Sequence, residues 1–162
     1  MSYVIGIDPS EVWTSTEIPP FRPGQRGKDD DGNEYVFVRA DSGGVTQYFA
    51  AVVTTSAYVV DMVDTTNSAP GASQGAPVVI PQATIAASGY GWGLVSGLGS
   101  VRVLASAAKG TRLNSTATSG ALDDDGTAGA EEITGIALLS ANGGAAGAVS
   151  ALVTYPYVGR TL

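Results

Sequence analysis

The clearest pattern along the chain is the alternation of aromatic residues with glycine in Tyr90-Gly91-Trp92-Gly93. Large rings can lie over backbone that carries no side chain, as happens where strands pack closely or bend. Residues 97–99 are typical of a turn, and residues 101–105 place Val and Ala on one face of a following strand. The pattern therefore predicts a β-hairpin in mid-chain, with Trp92 as its packing centre.

Shorter alternations predict strands through most of the remaining chain. Residues 34–40 are largely apolar on both faces, which predicts a strand covered on two sides. Residues 45–54 and 58–63 predict two further strands, which would form a meander with the first. Residues 131–139 and 148–158 predict the last two strands, on either side of a turn rich in glycine and alanine.

No window sustains the 3.6-residue period of a helix, and turn residues recur at short intervals. The chain of 162 residues has the length of one domain, and 22 of its residues are glycine. We therefore expect a single all-β domain, a compact β-barrel or β-sandwich of residues 27–162, preceded by an extended N-terminal arm of residues 1–26.

The arm combines large apolar residues with prolines that interrupt helices and remove donors from strands. One interpretation is an edge strand and a loop that lie across the chain's own core. The other is that Trp13 and Phe21 dock on another subunit, with Arg22 and Arg26 pairing with acidic groups there.

Composition excludes several classes of function. The net charge is −7 and charged residues make up only 14% of the chain, so the cluster of cations that nucleic-acid binding needs is absent. The chain has no cysteine and no histidine, which excludes a disulfide, a Ser-His-Asp triad, a Cys-His pair and a zinc cluster. No stretch approaches the ~20 apolar residues of a membrane span, and the N-terminus lacks signal-peptide features. We expect no cofactor, no nucleic-acid partner and no membrane partner.

Two acidic runs end in glycine, at residues 29–32 and 123–126, and invite a calcium hypothesis. Counted from Asp29, glycine stands fourth and Ala40 twelfth, where an EF-hand needs glycine sixth and glutamate last. We interpret both runs as solvated turns without a metal.

An enzyme would have to use carboxylates alone, because the other common catalytic groups are missing. The candidates are Asp29 to Asp31, Asp61, Asp64, Asp123 to Asp125, Glu131 and Glu132. Most lie in hydrophilic turns, where water keeps carboxyl pKa values ordinary, so we assign no catalytic residue and expect no enzyme.

Aromatic residues offer one alternative. Tyr90 and Trp92 are interpreted as packing or subunit-interface residues. In a carbohydrate-binding β-sandwich they would instead be exposed and form a stacking platform with Tyr155 and Tyr157.

The second half of the chain resembles small structural proteins of the head-gene region of tailed bacteriophages, and among these the capsid decoration, or cement, proteins. The resemblance covers roughly residues 85–158. It is carried by residues 90–93, 101–105, 111–113, 117–124, 133–136 and 151–156.

The resemblance implies a non-enzymatic virion protein, a homotrimer on the outer surface of the capsid that binds the major capsid protein and links capsomers. The arm would settle on the shell, with Trp13, Phe21, Arg22 and Arg26 as its contacts. A tail or fibre component is the structural alternative, since it would share the same composition.

Overall fold

The computed structural model describes residues 3–161 and shows an all-β protein with 44% of its residues in strands. No helix occurs among the described residues, so the predicted fold class is confirmed. Met1 and Ser2 of the predicted arm and Leu162 of the predicted domain lie outside the described residues. The described strands are β1 (Tyr3–Ile5), β2 (Arg26–Lys28), β3 (Glu34–Ala40), β4 (Ala51–Val53), β5 (Val59–Met62), β6 (Val78–Pro81), β7 (Tyr90–Val103), β8 (Leu113–Ser115), β9 (Leu122–Asp123), β10 (Glu131–Leu138) and β11 (Gly147–Thr161).

Strands β3, β5, β4, β6 and β7 form a closed five-stranded barrel. β5 runs parallel to β3, and the pairings β5–β4, β4–β6 and β6–β7 are antiparallel. β7 then pairs with β3 from Glu34↔Ser96 to Arg39↔Tyr90, which closes the ring. Of the two predicted architectures, the barrel is therefore the one that forms.

The second half of β7 starts a further circuit of strands outside this barrel. β11 pairs antiparallel with residues 96–103 of β7, β10 pairs with β11, and β8 pairs with β10. β9 pairs with β8 and meets β7 again at Val103↔Leu122. β7 thus belongs to both halves of the molecule.

Small aliphatic side chains fill the barrel, and every barrel strand contributes to this cluster. Its strand members are Val36, Val38, Ala40, Ala51, Val60, Val79 and Val95. The other face of β3 belongs to a larger cluster, which contains Tyr35 and Phe37 and continues into β10 and β11. Because both faces of β3 are covered, the predicted doubly buried strand at residues 34–40 is confirmed.

The predicted hairpin in mid-chain is wrong, because Tyr90–Val103 is one continuous strand of 14 residues. Gly97 and Gly99 lie inside this strand and pair with Val153 and Ala151 of β11. Gly97 adopts a φ of +123°, so it supplies a local bend without a chain reversal. Tertiary pairing has overridden a local turn signal.

The predicted meander over residues 34–63 is also wrong. Only Ala51–Val53 of the second predicted strand is extended, and it pairs with β5 and β6 rather than with β3. The preceding segment makes other backbone contacts: the Tyr48 N–H donates to the carbonyl of Pro81, and the Ala50 N–H donates to that of Gly120. β3 and β5 consequently run parallel.

The arm lies on its own domain. β1 pairs parallel with β2, from Tyr3↔Arg26 to Ile5↔Lys28, and β2 pairs antiparallel with β3. Between them, the chain forms an antiparallel bridge at Trp13↔Tyr90, with N–H···O distances of 2.9 and 2.8 Å. Of the two interpretations of the arm, the structure shows an edge strand and a loop across the chain's own core.

Candidate functional site

Trp13 and Phe21, the apolar contacts expected of the arm, lie in an aromatic cluster within the chain. We call this the inner aromatic cluster; its members are Trp13, Phe21, Phe37, Tyr90 and Trp92. The ring centroids of Trp13 and Phe37 are 5.3 Å apart, and those of Phe21 and Trp92 are 4.9 Å apart. Both arm residues are half-buried against the core. Their rings therefore fasten the arm to the domain.

Other apolar side chains of the arm point outward. Ile5 is 82% exposed and Ile18 is 96% exposed, and Val12 is 42% exposed. In β1 the period of two places Val4 against the core and leaves Tyr3 and Ile5 outside. We call the two most exposed of these side chains, Ile5 and Ile18, the outer face of the arm.

The two arginines of the arm have different surroundings. Arg22 is exposed. Arg26 donates to Glu34, with an Nη1···Oε1 distance of 2.6 Å, and its guanidinium carbon lies 5.7 Å from the centre of the Tyr155 ring. Arg26 is thus engaged within the chain.

The four aromatic residues of the carbohydrate hypothesis are separated by the fold. Trp92 is 1% exposed, and Tyr90 is half-buried with its ring stacked on Phe37 at 6.2 Å. Both belong to the inner aromatic cluster, so they do not form an exposed platform with Tyr155 and Tyr157. Tyr155 and Tyr157 are exposed, and they lie together at another place on the surface.

Tyr3, Tyr155 and Tyr157 form a second aromatic group, which we call the tyrosine patch. They are exposed by 45%, 50% and 45% of their area. The Tyr155 hydroxyl donates to Oε2 of Glu34 over 2.8 Å, while Arg26 donates to Oε1 of the same carboxylate. Glu34 thereby connects β2, β3 and β11 at one point of the surface.

The hydrogen bonds at Glu34 change the pKa values of the groups around it. Burial raises the pKa of the Glu34 carboxyl, but the hydrogen bonds from Arg26, Tyr155 and Tyr3 outweigh this effect and hold it below its ordinary value. Desolvation and the Glu34 carboxylate raise the pKa of Tyr3 to about 12. The same carboxylate raises the pKa of Tyr155 through their hydrogen bond. At neutral pH Tyr3 and Tyr155 therefore present neutral phenols beside the Arg26–Glu34 ion pair.

The acidic runs form turns in which the carboxylates bind the protein itself. Asp29 accepts hydrogen bonds from the backbone and side-chain amides of Asn33 and from the Tyr35 hydroxyl. In the second run, Asp124 accepts from the backbone N–H of Ala108 over 3.0 Å. Within residues 3–161, no group of three or more acidic side chains is placed to hold a metal ion.

The remaining carboxylates of the enzyme hypothesis are dispersed in other local contacts. Asp61 and Asp64 both accept hydrogen bonds from Asn67. Glu131 is fully buried and accepts from the Thr161 hydroxyl over 2.9 Å. Glu132 pairs with Arg160, with an Nε···Oε2 distance of 3.3 Å.

A cavity of about 490 Å³ lies near the end of β11. Its lining includes Arg112, Asn114, Asp124, Arg160 and Thr161. Asn114 is 3% exposed, and its Oδ1 has no hydrogen-bond partner among residues 3–161. No aromatic side chain lines this cavity, and its charged lining residues are two arginines and one aspartate.

Sequence reasoning missed Glu34 and the outer face of the arm. The alternation Tyr3-Val4-Ile5 was a usable signal, because one apolar residue of three in a strand must face away from the other two. Nothing in the sequence indicated that Glu34 would meet Tyr155, which lies 121 residues away along the chain.

The described residues contain no helix long and apolar enough to cross a membrane. The fold defines this chain as an all-β protein built on a closed five-stranded barrel with further strands outside it. Comparison of the sequence with protein-family models and with curated proteins found no match.

Proposed function

We propose that this protein is a structural virion component that binds the outside of a phage capsid and stabilises the shell by linking capsomers. The observation that carries the proposal is that one side of the arm packs on the domain while the other side exposes apolar residues. Trp13 and Phe21 fix the arm to the domain, while Ile5 and Ile18 on its outer face are almost fully exposed. An isoleucine that folding leaves 96% exposed gains burial only when a partner covers it.

The partner proposed for this face is the major capsid protein. Ile5 and Ile18 would supply apolar contact, and the exposed Arg22 would pair with an acidic group of the shell. Arg26 is assigned no such role, because Glu34 already holds it. In a homotrimer, three arms that engage together raise the avidity by about 10²–10⁴ over one contact, so modest contacts suffice.

The proposal assigns no catalytic residue and no cofactor. The carboxylates that could have supplied a pair of catalytic groups are engaged in turns, ion pairs and buried contacts at separate places in the fold. A scaffold with fixed surface groups suits a binding role.

The test is co-sedimentation of the purified protein with expanded capsids that lack it, with bound copies counted and shell melting followed. We expect saturable binding at a multiple of three copies per capsomer and a raised melting temperature of the shell. The double variant Ile5→Asp/Ile18→Asp should lose binding, whereas Leu139→Asp, at an exposed position outside the arm, should retain it. Absence of binding to both expanded and immature shells would overturn the proposal, and a few copies per virion would point to a tail or fibre component instead.

A further inference from the structure

The last strand changes phase just before the tyrosine patch. In β11, Val149, Ala151 and Val153 are buried and alternate with exposed residues. Continuation of this period would bury residue 155. Instead Tyr155 and Tyr157 are exposed, while Pro156 and Val158 are buried.

A β-bulge produces the change of phase. The pairing of β10 with β11 passes from Ile136↔Val153 to Thr134↔Tyr157, so that three residues of β11 oppose the single residue Gly135. A Cβ at Gly135 would lie 2.6 Å from the carbonyl oxygen of Thr154, which explains why this position has no side chain. Bulges commonly re-aim side chains next to binding sites.

The bulge also places Tyr155 in the left-handed region, with a φ of +47°. A side chain other than glycine rarely adopts this conformation, which costs free energy and persists only where the surroundings impose it. The strained backbone at Tyr155 does not serve core packing, because the Tyr155 ring is half exposed.

The two re-aimed tyrosines line a surface pocket of about 160 Å³, together with Pro77, Val95, Pro156 and Arg26. Its volume equals that of about five water molecules, at ~30 Å³ each, which is the scale of a single ring. The Tyr155 ring is held at its hydroxyl by Glu34 and lies beside the Arg26 guanidinium. A platform fixed in this way loses little freedom when a ligand binds.

We propose that this pocket binds a single neutral pyranose ring of a carbohydrate. The apolar walls and the tyrosine faces suit the C–H face of a sugar, and Arg26 in the lining offers N–H donors to its hydroxyls. The Glu34 carboxylate neutralises Arg26, and the whole chain carries −7, so a neutral ring is favoured over an acidic one.

None of the residues that line this pocket belongs to the outer face of the arm, and the proposal does not depend on capsid binding. A protein that failed to bind capsids could still bind sugars here, and a capsid-bound protein could lack this activity. The co-sedimentation experiment and the experiment below therefore fail independently.

The test begins with the full chain on an array of neutral oligosaccharides that end in glucose, galactose, mannose or N-acetylglucosamine. The methyl glycoside of the best ligand is then titrated in solution by saturation-transfer NMR. We expect Tyr157→Ala to weaken binding about tenfold, from the loss of one aromatic contact. Tyr157→Phe should retain most of the affinity, because the ring face remains.

Leu152→Ala is the matched control, since Leu152 lies on the same strand with 43% exposure but does not line the pocket. It should leave binding unchanged. The proposal is overturned if the wild-type chain binds no neutral sugar, or if Leu152→Ala and Tyr157→Ala weaken binding equally. It is also overturned if only proline-rich peptides bind at Tyr157, because the pocket would then recognise protein.

Discussion

The inner aromatic cluster and the tyrosine patch contain the same class of side chain in opposite surroundings. In the inner cluster, Trp92 and Phe37 have exposures of 1% and 0%, and their rings contact those of Trp13 and Phe21 from the arm. In the patch, Tyr155 and Tyr157 remain about half exposed, and Glu34 rather than another ring fixes Tyr155. The inner aromatic cluster packs the core, whereas the tyrosine patch presents fixed, half-exposed rings that a partner could contact.

The comparison shows that aromatic identity alone does not determine burial. Trp92 lies on the half of β7 that β3 and the arm cover, whereas Tyr155 lies where a bulge turns β11 outward. Substitutions in the two groups should therefore differ most in stability.

The largest effect is expected for Trp92→Ala, which should lower the free energy of unfolding by about 3–5 kcal/mol, because a cavity replaces a fully buried ring. Tyr157→Ala should change it by less than about 0.5 kcal/mol, since that side chain is exposed. Chemical denaturation measures both values. Equal losses would contradict the division into a packing cluster and a surface patch.

Trp13→Ala should cost about 2 kcal/mol, because a half-buried ring leaves the inner cluster and the arm loses an anchor. Limited digestion with a glutamate-specific protease should then cut faster after Glu17, which is exposed and lies in the loosened segment. Ile18→Ala, on the outer face of the same arm, is the control and should alter neither stability nor cleavage. Unchanged cleavage in Trp13→Ala would mean that the arm is held by β1 and β2 alone.

Gly135→Ala should lower stability by about 1–3 kcal/mol, because the residue has a φ of +91° and a Cβ would meet the Thr154 carbonyl. The near-ultraviolet circular dichroism of the tyrosines should change as the bulge shifts. Gly143→Ala makes the same substitution where a Cβ meets no atom within 4 Å, and it should be nearly neutral. A neutral Gly135→Ala would show that the bulge does not require this glycine.

A smaller loss of stability is expected for Glu34→Gln, about 1 kcal/mol at neutral pH, from the loss of a charge-assisted pair. The folded-state pKa of Glu34 lies below its ordinary value of 4.5. The ionised Glu34 carboxylate therefore contributes its full stabilisation above pH 4.5, and this stabilisation is lost as the pH falls through the lower folded-state pKa. Thermal unfolding of both proteins at neutral and acid pH should show a difference that disappears in acid; a constant difference would exclude the carboxylate as its source.

Individual strands show which parts of the fold the local residue pattern predicts. The doubly apolar run at 34–40 became β3, and the runs at 131–139 and 148–158 became β10 and most of β11, because alternation over several residues reports which faces are covered. The expected hairpin failed because Gly97 and Gly99 have strand partners that lie more than 50 residues away. The expected meander failed because the parallel pairing of β3 with β5 has no local signature.

The candidate sites were less accessible from the sequence than the fold. Trp13 and Phe21 were expected to contact a partner, and the structure places them in the inner aromatic cluster. Tyr90 and Trp92 were interpreted as packing or interface residues, and the alternative joined them to Tyr155 and Tyr157 in an exposed platform; the fold separates the two pairs. The partners of the tyrosine patch, Glu34 and Arg26, come from strands distant in sequence.

The sequence by itself determined the all-β class and the absence of cysteine and histidine chemistry, because composition and a period of two are properties of the chain alone. Only the tertiary structure decided the closure of the barrel, the side on which the arm lies and the exposure of each tyrosine. Those features depend on which distant strands pair and in which register. A bulge of a few residues is enough to move a ring from the core to the surface.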